Sequence, residues 1–571
     1  MTVRRWSDRK LKVTLFLTSF AVYLAVGYWL QVRHGFIIGD ALSRVSAAQS
    51  VLFSRDPHLA AIGFVFTPLT AMVQIPAIAV SPLWHEMTER AFSGTIMSAA
   101  FMAGGAVQIL GMGTDRGLPR SYALTIAAFF VLNPMIIFYG SNGMSEAPFI
   151  FFMSWAVRRL ILWMVDDDVH HLITAGGIAM GLAYLTRYDA VACVAAAGLL
   201  VAVTTYRRAR SQPRIRRALL DMLMVSGPGF AAFVGWAAVS WLITGEAFAQ
   251  FTSQYGNTAI IDQSGQATTD FASGVLFAVV CISLLAPTLL PIAVWGVVRR
   301  WAKPNWQVLL VPLTIYGAAL AFQAFSYATG STFPFLRFYI IAIPLSACLA
   351  MLAVPDGQLV PPKRRGRYAP AQNEPLGPRV HRRRRRGRGR RPLAAYAPVA
   401  VAFALAVPVT AWGMGQPKYA PQEYALGAVL APQPNSVTER KALEHRIAAS
   451  FSTERDIAEY LEKLNLPESS VITDTVFGFA IIAASQDPKT FVVPSDPDFT
   501  NLLNSPADNG IEYLLAVPPA GRGKSDALNI RYPTLYETGA DIATLEMEVP
   551  NNGDSQPNWR LYRVNEPAPE S

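Results

Sequence analysis

The chain has 571 residues, of which 52% are hydrophobic and only 15% are charged, and its formal net charge is +10. Soluble domains average about 25% charged residues. The low charge content and the many long apolar runs therefore exclude an ordinary soluble enzyme and predict a polytopic α-helical membrane protein. The three cysteines, Cys193, Cys281 and Cys348, all lie in apolar runs, so neither a disulfide framework nor a cysteine metal site is expected.

The first apolar run covers residues 11–30 and follows the basic segment MTVRRWSDRK. A run of about 20 apolar residues is long enough to cross a bilayer. No small-residue cleavage site follows it before Arg33, so we interpret it as a retained span rather than a signal peptide. The positive-inside rule then places the N-terminus in the cytoplasm and residues 33–90 in a long first outer loop.

Hydropathy predicts about 11 spans in total. After the first, they are 92–112, 121–139, 146–164, 171–187, 190–206, 218–243, 273–297, 306–326, 336–353 and 395–413. The apolar stretch 60–80 carries Pro68 and Pro76, which suit a surface-lying amphipathic segment better than a span. If that stretch is not counted as a membrane span, all the basic clusters lie on the cytoplasmic side, at 207–217, 299–303 and 363–391.

The predicted organisation has four parts: a membrane module at 1–353, a cytoplasmic Arg-rich loop at 354–394, a last span at 395–413 and an extracytoplasmic α/β domain at 414–571. Nine arginines lie within 379–391. A basic run can indicate nucleic acid. Between two apolar segments, however, the expected partners are anionic membrane lipids, and no nucleic-acid partner is predicted.

The C-terminal 150 or so residues change character. Residues 452–464 have helical periodicity, and short apolar runs at 471–473, 491–493, 513–517, 543–547 and 559–564 are separated by Pro, Gly and Asp turns, as strands are. This domain carries no Walker loop, no Gly-rich dinucleotide motif and no His/Cys cluster. We assign it no chemistry, and acceptor binding, partner binding and structural capping stay open.

Asp40 is the most informative ionisable residue, because it follows the first span directly on the predicted outer face. Its simplest role is to cap the helix that begins ALSRVSAAQ, since Asp is a preferred N-cap. A carboxylate at this place can also act as a general base toward an acceptor hydroxyl. Both roles are open from the residues alone.

Other acidic residues lie near the same face. Glu86 and Glu89 precede the second span and Glu146 opens the fourth, where solvation or the helix dipole would account for them. His34, His58 and His85 fall in the first outer loop without ligand spacing and are expected to be solvated.

Two arginines interrupt apolar sequence and need a reason to be there, because a charge at membrane depth costs at least about 2.5–3.5 kcal/mol. Arg187 and Asp189 (YLTRYDAV) are expected to pair across a turn. Arg337 (TFPFLRFY) stands at the outer mouth of a helix, where its planar fork suits a phosphate, although snorkelling to the headgroups would also explain it.

These segments together resemble the GT-C superfamily of glycosyltransferases, nearest the branch of bacterial protein O-mannosyltransferases and aminoarabinose transferases. The resemblance covers roughly residues 1–350 and is carried by Gly39-Asp40, FTPL at 66–69, Asn133-Pro134 through SNGMSE at 141–146, LTRYD at 185–189 and LRFY at 336–339. The family's usual pair of adjacent acidic residues is reduced here to Gly39-Asp40.

The resemblance implies a polyprenyl-phosphate sugar donor, inversion at the anomeric carbon and an acceptor hydroxyl on a glycan, lipid or protein. It makes Asp40 the base and leaves Glu86, Glu146 or Glu89 to supply a second acidic group. Arg337 is expected to bind the donor phosphate. Arg187 and Tyr339 are further candidates for that phosphate, and Asp189, two residues after Arg187, is a further candidate site residue. No metal ligand set is identified, and a divalent cation stays open as a cofactor.

Two other classes are open. A secondary transporter would also combine many spans with a few buried charges, although it would favour internal repeats that this chain lacks. A non-catalytic scaffold would tolerate replacement of Asp40 and Arg337. The Arg- and Ala-rich composition suggests an actinobacterium. In such a source, the expected sugar transferred from the donor is mannose or an arabinose-like sugar.

Overall fold

The computed structural model describes residues 7–209, 213–253, 255–263, 270–301, 306–355, 395–433 and 438–566. Nearly all of the Arg-rich loop predicted at 354–394 lies outside the described residues.

The chain is a polytopic helical membrane protein, as predicted. Eight of its described helices are long and apolar enough to cross a membrane: Asp8–Arg33, Phe92–Asp115, Glu146–Asp166, Ala190–Arg208, Arg214–Thr244, Trp306–Ala328, Leu336–Ala353 and Ala397–Met414. Two bent pairs raise the number to as many as 10. Each of these segments is continuous in apolar character over at least 18 residues, which is why hydropathy locates them.

The bent pairs are Arg120–Val131 with Pro134–Gly140, at 65°, and Phe271–Leu285 with Leu289–Arg300, at 77°. The sequence predicted an uninterrupted span in each place, at 121–139 and 273–297. Proline explains both breaks, because Pro134 and Pro287 disfavour a helical conformation at the residue before them. Pro134 then opens its own helix, where a missing N–H costs nothing.

The predicted span at 171–187 is a shorter composite of Val169–Ile173, a π-helical Thr174–Met180 and Gly181–Tyr184. The stretch 60–80 forms no long helix. It is divided into Leu59–Ile62, Leu69–Met72 and Ile75–Ile78, as its prolines and polar residues indicate.

The C-terminal domain is built on a five-stranded sheet of β1 (Val471–Ile472), β2 (Phe491–Val492), β3 (Tyr513–Ala516), β4 (Ala543–Val549) and β5 (Trp559–Val564). The strand order is β2-β1-β3-β5-β4. The pairs of β1 with β2 and with β3 are parallel, whereas β5 lies antiparallel to β3 and β4. Its helices include Glu439–Ala448, Ser452–Lys463, Phe479–Ala484, Phe499–Asn504 and Ala527–Arg531.

This domain packs onto the first loop through the helix Gly39–Phe53. Phe451 and Phe479 join the buried cluster formed by Leu42 and Val45 of that helix. Gly39 approaches so closely that a Cβ there would lie 3.3 Å from the Phe451 ring. The apolar contact therefore fixes the end of the helix that carries Asp40.

Polar contacts complete the attachment. Arg55, just after the helix, donates from Nε to Asp496 at 2.8 Å and also pairs with Asp498. The His85 ring contacts the Ala484 carbonyl at 2.7 Å. Asp496 is buried, so its charge depends on the partner that the first loop supplies.

We expect Arg55→Ala to loosen this attachment. The buried Asp496 carboxylate would lose its cation, and leaving a buried acceptor unpaired costs about 1–3 kcal/mol. The full-length protein in detergent should show a lower thermal unfolding midpoint and faster proteolysis at residues joining the domain to the membrane helices. Arg33→Ala, an exposed arginine of the same loop, serves as the control, and equal behaviour of the two variants would contradict the prediction.

Asp526 is a buried carboxylate of the C-terminal domain. It caps Ala527–Arg531 by accepting hydrogen bonds from the backbone N–H groups of Leu528 and Asn529, at 2.9 and 3.4 Å. Burial, reinforced by the nearby Asp474 carboxylate, raises the pKa of Asp526 well above its usual value. Folding therefore takes up a proton at this residue over part of the pH range.

This raised pKa predicts a pH dependence of stability. The contribution of protonated Asp526 is complete below its unfolded pKa of about 4 and is lost as the pH rises through the folded pKa. Asp526→Asn keeps a capping side chain and cannot ionise. Between pH 5 and 8, the thermal unfolding midpoint should fall less steeply with pH in this variant than in wild type. Asp508→Asn, at an exposed position, should keep the wild-type slope. A wild-type slope in Asp526→Asn would refute the assignment.

Candidate active site

Asp40 lies in the first turn of the helix Gly39–Phe53. The N-cap is Ile38, and no side chain caps this end, so capping does not account for Asp40. Its carboxylate instead accepts a hydrogen bond from Arg337 Nη2 at 2.9 Å, while its side chain remains 40% exposed. A solvent-accessible carboxylate beside the positive end of a helix is thus held in place by a single buried arginine.

Arg337 belongs to the short 3₁₀ turn Leu336–Tyr339 and is only 5% exposed. Its guanidinium stacks on Phe335 and Phe338, with 5.0 and 5.3 Å to the ring centroids. Its Nε is buried and has no hydrogen-bond partner among the described residues. Arg337 therefore does not snorkel to a surface, and it keeps a donor unused beside Asp40.

A second buried arginine, Arg44, was missed in the sequence. It lies one helical turn after Asp40, donates from Nη1 to the Asp40 carbonyl at 2.8 Å and stacks on Phe66 at 4.2 Å. The spacing of four residues from Asp40 was the available signal, because residues so spaced share a helix face. Arg44 and Arg337 both approach the Met144 sulfur, at 3.8 and 3.7 Å.

The turn that carries Met144 is tightly fixed. Gln31 donates to the Asn142 carbonyl at 3.2 Å, and the Gly143 N–H donates to Ser98 Oγ at 3.1 Å. Gly143 has a φ of +78° and lies against Gly94, a conformation and a contact that favour glycine. The Asn-Gly pair of the sequence thus places Met144 between the two arginines.

A second ion-pair cluster lies next to the first. Arg187 donates from Nη1 to Glu146 Oε1 at 2.9 Å and from Nη2 to Asp189 Oδ2 at 2.8 Å. The expected pair of Arg187 with Asp189 is present, and Glu146 joins it from the start of another helix. The two carboxylate side chains are 1% and 4% exposed, so the charges are largely removed from water.

A small cavity connects the two clusters. It is lined by Glu146, Phe149, Arg187, Asp189, Ala319, Gln323, Arg337, Phe338, Ile340 and Ile341. Arg337 lies at its boundary and contacts Asp40 on its other side. The structure therefore brings together four of the predicted residues around one cavity, and Asp40 is linked to it through Arg337.

The charges around Asp40 keep it ionised. Burial alone would raise the pKa of its carboxyl, but Arg337 and Arg44 outweigh that effect, with a smaller contribution from Arg522, and hold the pKa below its usual value. Asp40 is consequently a carboxylate at neutral pH and has the protonation state that a proton acceptor needs.

Three predicted residues lie apart from this cavity. Tyr339 is buried and packs edge-on against Phe277. Glu89 pairs with Arg90 at 2.9 Å and faces Arg455 at 3.8 Å, on the C-terminal domain. Glu86 shares the one-turn helix Glu86–Glu89 and, within the described part of the chain, has no ion pair with the cluster residues.

Two further residues near the site lie in segments that the sequence analysis assigned no chemistry. Glu423, after the last membrane helix, accepts a hydrogen bond from Tyr139 at 2.6 Å, and burial raises its pKa. Arg522 of the C-terminal domain stacks on Phe477 at 5.1 Å, is exposed, and acts electrostatically on Asp40. The local sequence around either residue does not indicate a place near the site, because that place depends on how the C-terminal segment packs against the membrane helices and the first loop.

The acidic residues do not converge as a metal site. Among the described residues, no group of three or more His, Cys, Asp or Glu side chains is placed to hold a metal ion. Asp40 faces Arg337, and Glu146 and Asp189 share Arg187. These residues do not fit a metal as arranged, and we assign no step to one.

We expect Arg187→Met to destabilise the protein by about 3–5 kcal/mol, because removing one member of a buried ion pair leaves uncompensated charge. The measurement is thermal unfolding of the full chain in detergent. Adding Glu146→Gln and Asp189→Asn to the same chain should recover at least half of the lost stability. Arg214→Met, at an exposed position, is the control. An Arg187→Met variant as stable as that control would show that the ion-pair cluster does not contribute to stability.

Comparison with known proteins places the fold. No protein-family model and no curated protein matches the chain in sequence. Among solved structures, it is similar to ArnT from Cupriavidus metallidurans, crystallised with undecaprenyl phosphate. The TM-score is 0.54, the identity is 15%, and the match covers 96% of this chain and 97% of that one. This likeness over nearly the whole length confirms the GT-C fold.

Two other solved structures resemble the chain more loosely. One is the Pmt1-Pmt2 protein O-mannosyltransferase complex of S. cerevisiae, with a TM-score of 0.34, 17% identity, and coverage of 44% of this chain and 36% of that one. The other is the oligosaccharyltransferase of Archaeoglobus fulgidus, with a TM-score of 0.37, 9% identity, and coverage of 96% and 73%.

Proposed function

We propose that this chain of GT-C fold is a membrane glycosyltransferase that moves a sugar from a polyprenyl-phosphate donor to an acceptor hydroxyl. The sugar is mannose or an arabinose-like pentose, and the acceptor belongs to a glycan, lipid or protein. The observation that carries the proposal is the accessible Asp40 carboxylate held 2.9 Å from the buried guanidinium of Arg337. The polyprenyl phosphate bound to the similar ArnT structure supports the donor class.

In the proposed reaction, Asp40 serves the attacking acceptor hydroxyl and Arg337 serves the departing phosphate. The acceptor oxygen attacks the anomeric carbon as the bond from that carbon to the phosphate oxygen breaks, and the configuration inverts. The acceptor proton passes to the Asp40 carboxylate. The electron pair of the broken bond stays on the lipid phosphate, whose added charge the Arg337 guanidinium stabilises.

The pairing of Asp40 with Arg337 gives donor binding a second effect in the proposed mechanism. A phosphate that recruits Arg337 takes the guanidinium from Asp40, which relieves the electrostatic hold on its pKa. The carboxylate then becomes a better proton acceptor only when the donor is in place. Arg44, the other buried cation of this cluster, stays bonded to the Asp40 carbonyl and helps to retain the phosphate.

The orientation follows from the positive-inside rule. With the basic residues near 207–217 and 299–300 in the cytoplasm, the Asp40 cluster and the C-terminal domain lie on the outer face of the cytoplasmic membrane and the N-terminus lies inside. The domain that packs on the helix Gly39–Phe53 then covers the site from the aqueous side and is available to the acceptor.

We expect Asp40→Asn to reduce transfer by about 10²–10⁴-fold, the usual contribution of a positioned base. Membranes carrying equal amounts of each variant would be given radiolabelled undecaprenyl-phosphate mannose or arabinose, and labelled products would be counted. The variant should still be stabilised thermally by undecaprenyl phosphate, because Arg337 and Arg44 remain.

Asp56→Asn, at a half-exposed carboxylate of the same loop, is the control and should transfer like wild type. Undiminished transfer by Asp40→Asn would remove Asp40 as the base while leaving a transferase. Absence of transfer by wild type, together with absence of stabilisation by undecaprenyl phosphate, would overturn the proposed function.

A further inference from the structure

Two arginines converge beside Gly35, just beyond the first membrane helix. A Cβ added to Gly35 would lie 3.3 Å from Arg90 Nη1 and 3.4 Å from Arg455 Nη2. The two guanidinium groups therefore end near one point, although like charges repel each other more strongly where water is partly excluded. Arg90 belongs to the first loop and Arg455 to the helix Ser452–Lys463 of the C-terminal domain, so this point lies on the boundary between them.

Arg455 lacks the hydrogen bonds that a largely buried guanidinium usually makes. Its side chain is only 15% exposed, and its Nη1 is buried without a partner among the described residues. Its ion pair with Glu89 is 3.8 Å long, which is too long for a hydrogen bond. The guanidinium is therefore held at the domain boundary with unused donors.

The nearby carboxylates do not balance the two positive charges. Glu89 lies 2.9 Å from Arg90, so a single carboxylate is shared between two arginines. Glu454, the residue before Arg455, is engaged elsewhere, because one of its oxygens accepts a hydrogen bond from Trp559 Nε1 at 2.9 Å. The boundary thus carries an excess of positive charge.

The protonation of Arg455 reflects this excess. Burial, reinforced by the Arg90 charge, lowers the pKa of Arg455 to about 10, although three nearby carboxylates act in the opposite direction. One of them, Asp456, is exposed, so that solvent screens its charge. A water molecule could accept a hydrogen bond here but would leave the charge uncompensated. An anion with two or more acceptor oxygens would satisfy both the donors and the charge.

The position of the two arginines restricts the class of anion. Gly35 follows the helix Asp8–Arg33 and Arg90 precedes the helix Phe92–Asp115, so both lie where long apolar helices end and lipid headgroups begin. The Arg90 side chain is 27% exposed, which leaves the site open to its surroundings. A guanidinium binds phosphate oxygens through parallel hydrogen bonds, and basic clusters at this level recognise anionic headgroups.

We propose that Arg90 and Arg455 bind the phosphate of an anionic phospholipid headgroup, which joins the C-terminal domain to the membrane module. The phosphate oxygens accept hydrogen bonds from both guanidinium groups and separate their charges. Phe451, one helical turn before Arg455, packs on Gly39. A bound lipid therefore also steadies the backbone that leads to Asp40. The site is independent of the reaction that the chain catalyses.

The test measures ligand-dependent thermal unfolding of the purified full-length chain in detergent. The probes are dioctanoyl-phosphatidylglycerol, dioctanoyl-phosphatidylcholine and inorganic phosphate. Both lipids carry a phosphodiester, but the choline cation cancels its charge in the second. Phosphatidylglycerol should bind about tenfold more tightly than phosphatidylcholine, the effect of one charge-assisted hydrogen bond. Inorganic phosphate at the same concentration should leave the unfolding midpoint unchanged.

Three variants and a control tie the effect to this site. Arg90→Gln and Arg455→Gln should each reduce the advantage of phosphatidylglycerol to less than about threefold. Glu89→Gln removes the carboxylate that competes with the lipid phosphate and should increase the advantage, a gain that a misfolded variant would not show. Arg33→Gln, at an exposed position on the last turn of the first membrane helix, removes the same charge and should match wild type.

The outcomes separate a built site from diffuse charge. Equal binding of the two lipids by wild type would overturn the proposal. So would an advantage that Arg33→Gln reduces as much as Arg90→Gln does, or one that persists in both Arg90→Gln and Arg455→Gln. Stabilisation by inorganic phosphate that equals that by phosphatidylglycerol, and that both arginine variants abolish, would support the phosphate site and identify free phosphate, rather than lipid, as its ligand.

Discussion

Three arginines, the buried Arg44 and Arg337 and the partly buried Arg187, are the constraint on which the rest of the site depends. Removing an ion from water costs several kcal/mol even after a protein relaxes around it. The structure offsets that cost with carboxylates from separate segments and with aromatic faces. Asp40 comes from the first loop, Glu146 from the start of a membrane helix, and Phe335 and Phe338 from the turn before the last helix of the membrane module. The charges therefore hold together segments that are distant in sequence.

The backbone near the arginines is correspondingly rigid. The Asn142-Gly143 turn is bonded to Gln31 and Ser98 on neighbouring helices, and the C-terminal domain clamps the helix of Asp40 through Phe451 and Arg55. Ion pairs at fixed distances require such support, because a buried charge that loses its partner is strongly destabilising. The domain to which the sequence assigned no chemistry thus contributes to the geometry of Asp40.

Local sequence was sufficient for much of this arrangement. Hydropathy located the membrane helices, and short apolar runs between turn residues located all five strands, because both signals lie within single elements. Asp40 and Arg337 were each predicted from their position at a helix mouth, and the pairing of Arg187 with Asp189 followed from their spacing. The two kinked helices were missed even though Pro134 and Pro287 stood in the sequence.

What the sequence could not supply was partnership between distant residues. Asp40 and Arg337 are 297 positions apart and form one ion pair. Glu146 meets Arg187 across 41 positions, and Arg522 reaches Asp40 from the C-terminal domain. Each of these contacts depends on how whole helices pack, which residue spacing does not encode. Arg44 is the exception, since its place one turn after Asp40 was readable.

In the proposed mechanism, the contact between Asp40 and Arg337 controls the basicity of the carboxylate. While Arg337 holds it, Asp40 is ionised and weakly basic. The proposed donor phosphate competes for the same guanidinium, and the strength of the base then depends on whether the donor is bound. A lone carboxylate would have no such dependence, and a more buried pair would exclude the acceptor. The Asp40 side chain is 40% exposed, against 5% for Arg337, so the proposed base is both ionised by its partner and within reach of an acceptor.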